Sequence, residues 1–584
     1  LILMRKLAFL FLSLFAFCTA SAQVTTSSMS GRVADTDGQP IIGATIVAVH
    51  TPTGTQYATA STRNGQFNLG GMRVGGPYDV EVSFIGCNTE KIEGIYLTIG
   101  EEATLDFVLR EDSQSIGEVV VVGKANPVFN ANRTGAQEVV TLEMMEKLPT
   151  TSRSLDEFVK LTPMSSGKNF AGTSYRFNNV TVDGASFNNS FGLSSALGAQ
   201  GTEPISLESI EQVQVMIAPY DVRNGGFTGG GINSVTKSGT NEWHASAYMY
   251  TKSPELQGHR VRDYVGQVSE FSNRQYGVSL SGPIVKNKLF FFVNGELDRQ
   301  DEPISNRLAD SRVSAADLDD LAKFLGDQFN YNPGGYDLSK TETRADRLTA
   351  RIDWNINDRN TFSLKYYYLK SYNTNAPSTS GAPANGRGPN AYAMPFSSSY
   401  YRTNNDFNIV MADWNSTIND HMSNTLKVGY SRLRDYRDMD GGFFPQVDIL
   451  KDGSSYTVFG TEANSYNNQL DTDIFQIQDN FTMNYGRHQI TVGTQSDYRS
   501  FSNGFAQNYP GSWVFSSIDD FKFNVLAAKD YMASHGNMTG FDITKYDPSQ
   551  FGLTGVVNGG LANSAGTGQT HYLQKYSLME GFPF

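Results

Sequence analysis

The stretch Arg347-Leu348-Thr349-Ala350-Arg351-Ile352-Asp353-Trp354-Asn355 decides the fold, because it alternates without a break. In an extended chain Leu348, Ala350, Ile352 and Trp354 share one face, and Thr349, Arg351, Asp353 and Asn355 share the other. Residues 361–369 repeat the pattern, with Phe362, Leu364, Tyr366 and Tyr368 opposite Ser363, Lys365 and Tyr367. Leu426, Val428 and Tyr430 stand likewise opposite Lys427, Gly429 and Ser431. A period of two with one apolar face fits a soluble sandwich, or a membrane wall whose strands of ~10 residues meet lipid on one side and water on the other. The surroundings favour the wall. Aromatic residues make up 12% of the 584, charged residues only 18%, and the one long apolar run lies at the N-terminus, which excludes a bundle of spanning helices.

Between the alternating segments the chain changes character. Residues 371–399, 435–471 and 503–570 are polar and rich in Gly, Asn and Ser, whereas Asp358-Arg359-Asn360 and Asn419-Asp420-His421 are tight turns. Walls of this kind join strands by short periplasmic turns and long external loops. Residues 314–325 read as a small helix within one such loop.

At the N-terminus, basic Arg5 and Lys6, the apolar run from Leu7 to Phe17 and the small residues Ala20-Ser21-Ala22 have the layout of a cleaved secretory signal over residues 1–22. Met4 reads as the initiator, with Leu1 to Leu3 untranslated. The run is shorter than the ~20 residues of a spanning anchor, and Phe17 is too large to precede a lipidated Cys18. Cys87 is then the single cysteine of the mature chain, so no internal disulfide and no cysteine-based metal site is expected. A formal charge of -13 argues against nucleic acid as a partner. The His residues are scattered, with neither a His-Glu-x-x-His pair nor a nucleophile elbow, so an enzyme is not expected and no catalytic residue, metal or cofactor is assigned. The acidic run Asp435-Tyr436-Arg437-Asp438-Met439-Asp440 reads as solvated loop charge.

From residue 30 to about 110, short strand-like runs (30–33, 44–49, 66–69, 78–84 and 104–109) are separated by Asp37-Gly38, Asn64-Gly65 and Gly75-Gly76-Pro77, the signals of a small all-β domain. Beyond it lies Ile116-Gly117-Glu118-Val119-Val120-Val121-Val122-Gly123, an extended segment by composition. Composition alone favours a buried strand, but the segment occupies a linker, where it has no sheet of its own and is free to join a partner's sheet edge. Residues 134–238 are mixed, with helices expected at 142–147 and 155–161 and strands at 179–182 and 210–217. The glycine cluster Gly225-Gly226-Phe227-Thr228-Gly229-Gly230-Gly231 lacks the Gly-Lys-Ser/Thr order of a phosphate loop, so nucleotide binding is set aside.

Two resemblances follow. Gly31-Arg32-Val33, Gly38-Gln39-Pro40-Ile41-Ile42-Gly43-Ala44-Thr45, Asn64-Gly65-Gln66-Phe67 and Tyr78-Asp79-Val80-Glu81-Val82 resemble the carboxypeptidase-regulatory-like domain, a non-catalytic transthyretin-like sandwich. The run from Glu211 through Asn241, including Thr236-Lys237-Ser238-Gly239-Thr240-Asn241, with Gly282-Pro283-Ile284 and Lys286-Asn287-Lys288-Leu289-Phe290-Phe291-Phe292 after it, resembles TonB-dependent outer-membrane receptors, the Oar-like branch in particular. That family implies a plug inside a 22-stranded barrel and a TonB box ahead of the plug. The expected order is a signal (1–22), a periplasmic β-sandwich (23–112), a linker with the box (113–132), an α+β plug (133–238) and antiparallel transmembrane barrel strands (239–584), a mainly β protein of the outer membrane. Some nine or ten strand-like segments follow Lys237 at ~35–40 residues each, so 22 strands would take on the order of 800 residues, and an incomplete barrel is expected.

The resemblance assigns the TonB box to Glu118, Val119, Val120, Val121, Val122 and Gly123. It assigns plug motifs to Asn179, Asp183, Gly184, Tyr220, Asp221, Gly229, Gly230, Thr236, Lys237 and Gly239, with holding the plug's sheet against the wall as their expected role. The implied partners are TonB, outer-membrane lipid and an unidentified small-molecule, oligosaccharide or peptide substrate, with a surface lipoprotein as a further possibility. The SusC-like glycan importers share the sandwich and box, but their early Arg-Gly plug motif is missing here. A surface adhesion or secretion-support protein is the alternative from another class.

Overall fold

The computed structural model describes residues 24–111, 119–122, 135–148, 150, 153–167, 169–188, 202–266, 269–304, 306–485 and 488–557. The expected signal lies outside them, as do Glu118 and Gly123. Mainly β structure runs through the described residues in three bodies and a cap.

The first body is a sandwich. One sheet has the order Gln66–Met72, Ser27–Asp35, Glu102–Thr104, with Phe107–Leu109 also on Ser27–Asp35; the other runs Thr55–Ala60, Thr45–His50, Gly75–Ser83, Glu90–Leu97, Val119–Val122. Alternation drives it: Tyr78, Val80 and Val82 turn into a core with Met29, Ile46, Phe67, Leu97 and Phe107, while Glu81 stays in solvent. The valine segment departs from expectation. Val119–Val122 does have a sheet, pairing in parallel with Glu90–Glu93 of the sandwich. The physical reason is that Glu90–Leu97 would otherwise end the sheet, and an end strand presents a row of unpaired main-chain groups that an extended neighbour satisfies.

The second body is a five-stranded mixed sheet in the order Gly135–Thr141, Ile210–Pro219, Gly231–Thr236, Asn179–Val182, Ala185–Ser186. Short helices Leu142–Lys147 and Leu155–Val159 pack on it, the first capped by the Thr141 hydroxyl. The glycine cluster is a matter of packing: a Cβ on Gly230 would stand 2.4 Å from the Phe170 ring.

The third body is a wall of nine antiparallel strands, each paired with the next in sequence: His244–Lys252, Ser272–Val285, Leu289–Pro303, Lys340–Asn357, Asn360–Asn375, Tyr401–Asn419, Met422–Asp438, Gln469–Tyr485 and His488–Gly504. The alternation orients it. Leu348, Ile352, Trp354, Leu364, Val410 and Trp414 are exposed on the outer face, and Arg347, Thr349, Arg351, Asp353 and Lys365 are buried on the inner one. Among the described residues the wall is open, with His244–Lys252 and His488–Gly504 each having one neighbour. The inner sheet shares a core with the wall, Phe158, Val182 and Val213 meeting Ala345, Tyr367, Phe407 and Ile474. The sandwich sits at the short-turn rim, where Asn355 Nδ2 donates to the Thr55 hydroxyl at 2.8 Å and the Asn241 N–H to the Pro52 carbonyl at 2.8 Å.

The opposite rim differs from the expected set of long polar loops. Ser454–Phe459, Gln446–Lys451 and Ser512–Phe515 form a sheet, covered by helices Ala315–Phe329, longer than the expected 314–325, and Ile518–His535. Their common core holds Leu318, Leu321, Phe396, Phe444, Ile449, Phe459, Trp513 and Phe521. Arg387, itself buried, grips Asp448 at 2.8 and 3.1 Å. In the acidic run, Asp438 and Asp440 are both taken by Arg402.

Candidate functional site where the inner sheet meets the wall

The site begins with a turn. Asp183 and Gly184 join Asn179–Val182 to Ala185–Ser186, and both have positive φ (52° and 89°), the backbone that an Asp-Gly hairpin turn requires. That turn carries the Asp183 carboxylate into the wall, where it is fully buried. It accepts the Thr236 N–H at 3.3 Å and the hydroxyls of Thr236 and Tyr367, with Lys365 Nζ at 3.5 Å. The turn's other atoms are held too: Gln476 Nε2 donates to the Gly184 carbonyl at 3.0 Å.

The wall groups that receive the turn form two rungs set by strand register. Asp353 lies opposite Ser363, Ser363 opposite Asp413, and Asp413 opposite Lys427. One rung away Arg351 lies opposite Lys365. Arg351 binds Asp353 through two contacts of 2.8 and 2.9 Å and donates to the Thr236 carbonyl at 2.6 Å, while Lys365 also binds Asp413. These five wall charges are all less than a tenth exposed. Arg351, Lys365 and Lys427 outnumber Asp353 and Asp413 by one, and Asp183 supplies the third carboxylate. Buried charges persist only when paired, so the wall is built to receive an anion from inside. Burial alone would push the Asp183 carboxyl up; Lys365 and Arg351, with the Thr236 and Tyr367 hydrogen bonds, outweigh it and hold that carboxyl below the usual carboxylate range.

The sandwich joins the same network. Arg73 reaches Asp353 at 3.4 Å, and Lys427 donates to the Thr25 hydroxyl. A polar cavity of about 130 Å³ remains between the three bodies, lined by His50 and Arg73, Glu211 and Thr236, and Arg351 and Lys365 among others. Ligand pockets run to ~300–1,000 Å³, so this space holds no sizeable solute as it stands. Toward the cap a second set of contacts repeats the logic. The hydroxyls of Ser206 and Tyr248 donate to Glu296 at 2.8 and 2.7 Å, Arg347 binds Glu296 at 2.5 Å and the Glu203 carbonyl at 2.6 Å, and Phe187 stands edge-on to Tyr367 and Phe407.

Of the residues singled out from sequence, the structure brings Asp183, Gly184 and Thr236 together against the wall, with Gly239 pressed beneath the Phe291 carbonyl. Gly229 and Gly230 pack on Asn178 and Phe170, Asn179 donates to the Gly225 carbonyl at 2.9 Å, and Lys237 reaches Glu208 at 3.4 Å, all within the inner body. Tyr220 is exposed and Asp221 turns back on Arg223, away from the charged rungs. Sequence reasoning placed Arg351, Asp353, Lys365 and Lys427 on the wet face without recognising them as a receptor for Asp183. The available signal was the density of charge on one face of adjacent strands.

Residues 28–110 match the carboxypeptidase regulatory-like domain family, and residues 235–318 and 303–534 match the outer membrane beta barrel domain family. The chain is 26% identical over 276 residues to the TonB-dependent transporter Oar of Myxococcus xanthus, covering 43% of this chain and 25% of Oar. It is 31% identical over 183 residues to the TonB-dependent receptor SusC of Bacteroides thetaiotaomicron, 31% of this chain and 15% of that one. The chain therefore aligns with a quarter or less of the length of these two relatives. The solved siderophore receptor PirA of Acinetobacter baumannii aligns with 63% of this chain and 48% of its own at 18% identity, with a TM-score of 0.43. With the barrel family matching half of its length, the chain belongs to the outer membrane beta barrel domain family, carries a carboxypeptidase regulatory-like domain ahead of the barrel, and is a protein of the outer membrane.

Proposed function

We propose that this protein is an energy-coupled importer in which TonB, reached from the periplasm through residues 118–123, moves the inner sheet as a plug within the wall and so admits a scarce solute. The observation that carries this reading is the Asp183 seat. It holds the plug through ion pairs and hydrogen bonds whose members can be rehydrated one by one, rather than through apolar packing alone. Support also comes from the relatives, which are transporters and receptors rather than enzymes, and from the short-turn rim, the side on which such walls face the periplasm and on which the sandwich sits. In this reading Asp183, Gly184, Thr236 and Gly239 are the plug's seat, and Asn179, Gly229 and Gly230 hold its sheet together.

The test starts with a null strain grown on defined carbon, iron and peptide sources, to find one on which it fails. Deleting residues 118–123 from the full-length protein is expected to reproduce that failure while the protein still appears as a heat-modifiable band in outer-membrane fractions. Normal growth of the deletion strain would sink the proposal.

A further inference from the structure

The valine segment has two sheets available to it, and the structure shows it in one. Val119–Val122 lies parallel to Glu90–Leu97, with Glu90, Lys91, Ile92 and Glu93 facing Val119, Val120, Val121 and Val122 in register. Those four residues end the sheet Thr55–Ala60, Thr45–His50, Gly75–Ser83, Glu90–Leu97, Val119–Val122, so the sandwich, not the plug, holds them. The plug's first strand begins at Gly135, 13 positions beyond Val122, which at ~3.3–3.6 Å per residue leaves a tether of no more than about 45 Å.

We infer that the sandwich is a parking edge: in the resting protein the strand Glu90–Leu97 stores the segment that TonB must take, and the partner competes with that edge for it. The inference rests on the reading of residues 118–123 as the TonB-engaging segment. A puller acts on the plug only through the chain that follows Val122. While the segment is laddered to Glu90–Glu93, the load falls first on the sandwich, which is itself anchored at the short-turn rim through Thr55 and Pro52. Engagement therefore requires the ladder to open. A ladder of four residues is short enough to open: each main-chain hydrogen bond exchanged for water has a small net worth, so the free segment is a minor but reachable state. The partner's apparent affinity is then its intrinsic affinity multiplied by the fraction of time the segment is free. The sandwich's charged edge suits the role, since Glu90, Lys91 and Glu93 discourage pairing with stray strands while their main-chain groups serve this one.

The test locks the ladder. Lys91→Cys and Val120→Cys, partners in the register, are introduced together in a Cys87→Ser background of the full-length receptor purified in detergent. Capture of the periplasmic domain of TonB is then measured with the pair oxidised and after reduction. Capture at least tenfold weaker when oxidised and restored on reduction is the expected result, and that restoration shows the receptor to be folded. Main-chain hydrogen exchange of residues 90–93 in the Cys87→Ser parent gives a second reading: the N–H groups of this edge that face the segment are expected to be protected before TonB is added and to lose that protection on its addition. Equal or tighter capture by the oxidised receptor overturns the parking edge and leaves the importer standing. If the parent and the reduced receptor fail to capture TonB at all, the importer reading falls, and this inference with it.

Discussion

Replacing Asp183 with leucine is expected to loosen the inner sheet from the wall. The substitution leaves Lys365 and the hydroxyls of Thr236 and Tyr367 buried without the carboxylate they now share, and leaves the three wall cations Arg351, Lys365 and Lys427 with two carboxylates. Breaking a buried ion pair from one side costs about 3–5 kcal/mol, because the surviving charge keeps its desolvation penalty. Hydrogen exchange in Asn179–Val182 and Gly231–Thr236 should accelerate by a hundredfold or more, since each 1.4 kcal/mol is about tenfold in an opening equilibrium. Adding Lys365→Met to the same chain should recover part of that protection, because the apolar pair removes the uncompensated ammonium and leaves Arg351 and Lys427 against Asp353 and Asp413, while Asp413 gives up its Lys365 partner. The seat should also respond to pH in one direction. Asp183 has a lowered carboxyl pKa in the folded protein, so its contribution is fully present above the ordinary Asp value of about 3.9 and is lost as the pH falls through the lowered one. Unchanged exchange in Asp183→Leu would show that the shared apolar core around Phe158, Val182 and Phe407 holds the inner sheet in the wall by itself.

The wall was legible because its signal is local. Alternation in 347–355 and 361–369 fixes which residues face which way, and Asp358-Arg359 sits at a two-residue turn between paired Asn357 and Asn360. What alternation cannot tell is whether a polar face meets water or another part of the protein. Arg351 and Lys365 read the same beside a wet lumen as beside Asp183. The valine segment shows the same limit. Its extended character was plain from composition, but its neighbour Glu90–Leu97 went unread as a strand, because Glu90, Lys91 and Glu93 break the apolar pattern on an edge where charge is tolerated. The cap was hidden for a further reason. Its core residues are drawn from several connections, with Leu318 and Leu321 from one, Phe396 from the next, Phe444, Ile449 and Phe459 from a third, and Trp513 and Phe521 from a fourth. Only the first connection shows a period, the helical one of Leu318, Leu321 and Leu325, and the shared core exists only once the strands between them have brought the four together.

That shared origin makes the second large effect a cooperative one. Trp513 is fully buried at the centre of the cap, in the strand that pairs in parallel with Gln446–Lys451. Trp513→Ala is expected to cost about 3–5 kcal/mol, the transfer and cavity terms together for a large aromatic side chain. If the cap is one folded unit, that loss cannot stay in residues 512–515. The sheet Ser454–Phe459, Gln446–Lys451, Ser512–Phe515 loses its largest fully buried side chain, and the helices Ala315–Phe329 and Ile518–His535 lose part of the surface they cover. Limited proteolysis of the full-length protein, with cuts mapped by mass spectrometry, should then show new sites in residues 380–396, 441–465 and 505–517 appearing together, while the wall strands and the Asp183 seat stay protected. The wall is insulated because its main-chain ladders are complete between neighbouring strands and do not depend on the cap. New cuts confined to 505–517 would mean that the four connections fold separately and merely touch. In the cooperative case, a ligand held anywhere on the cap would be felt by all four connections at once.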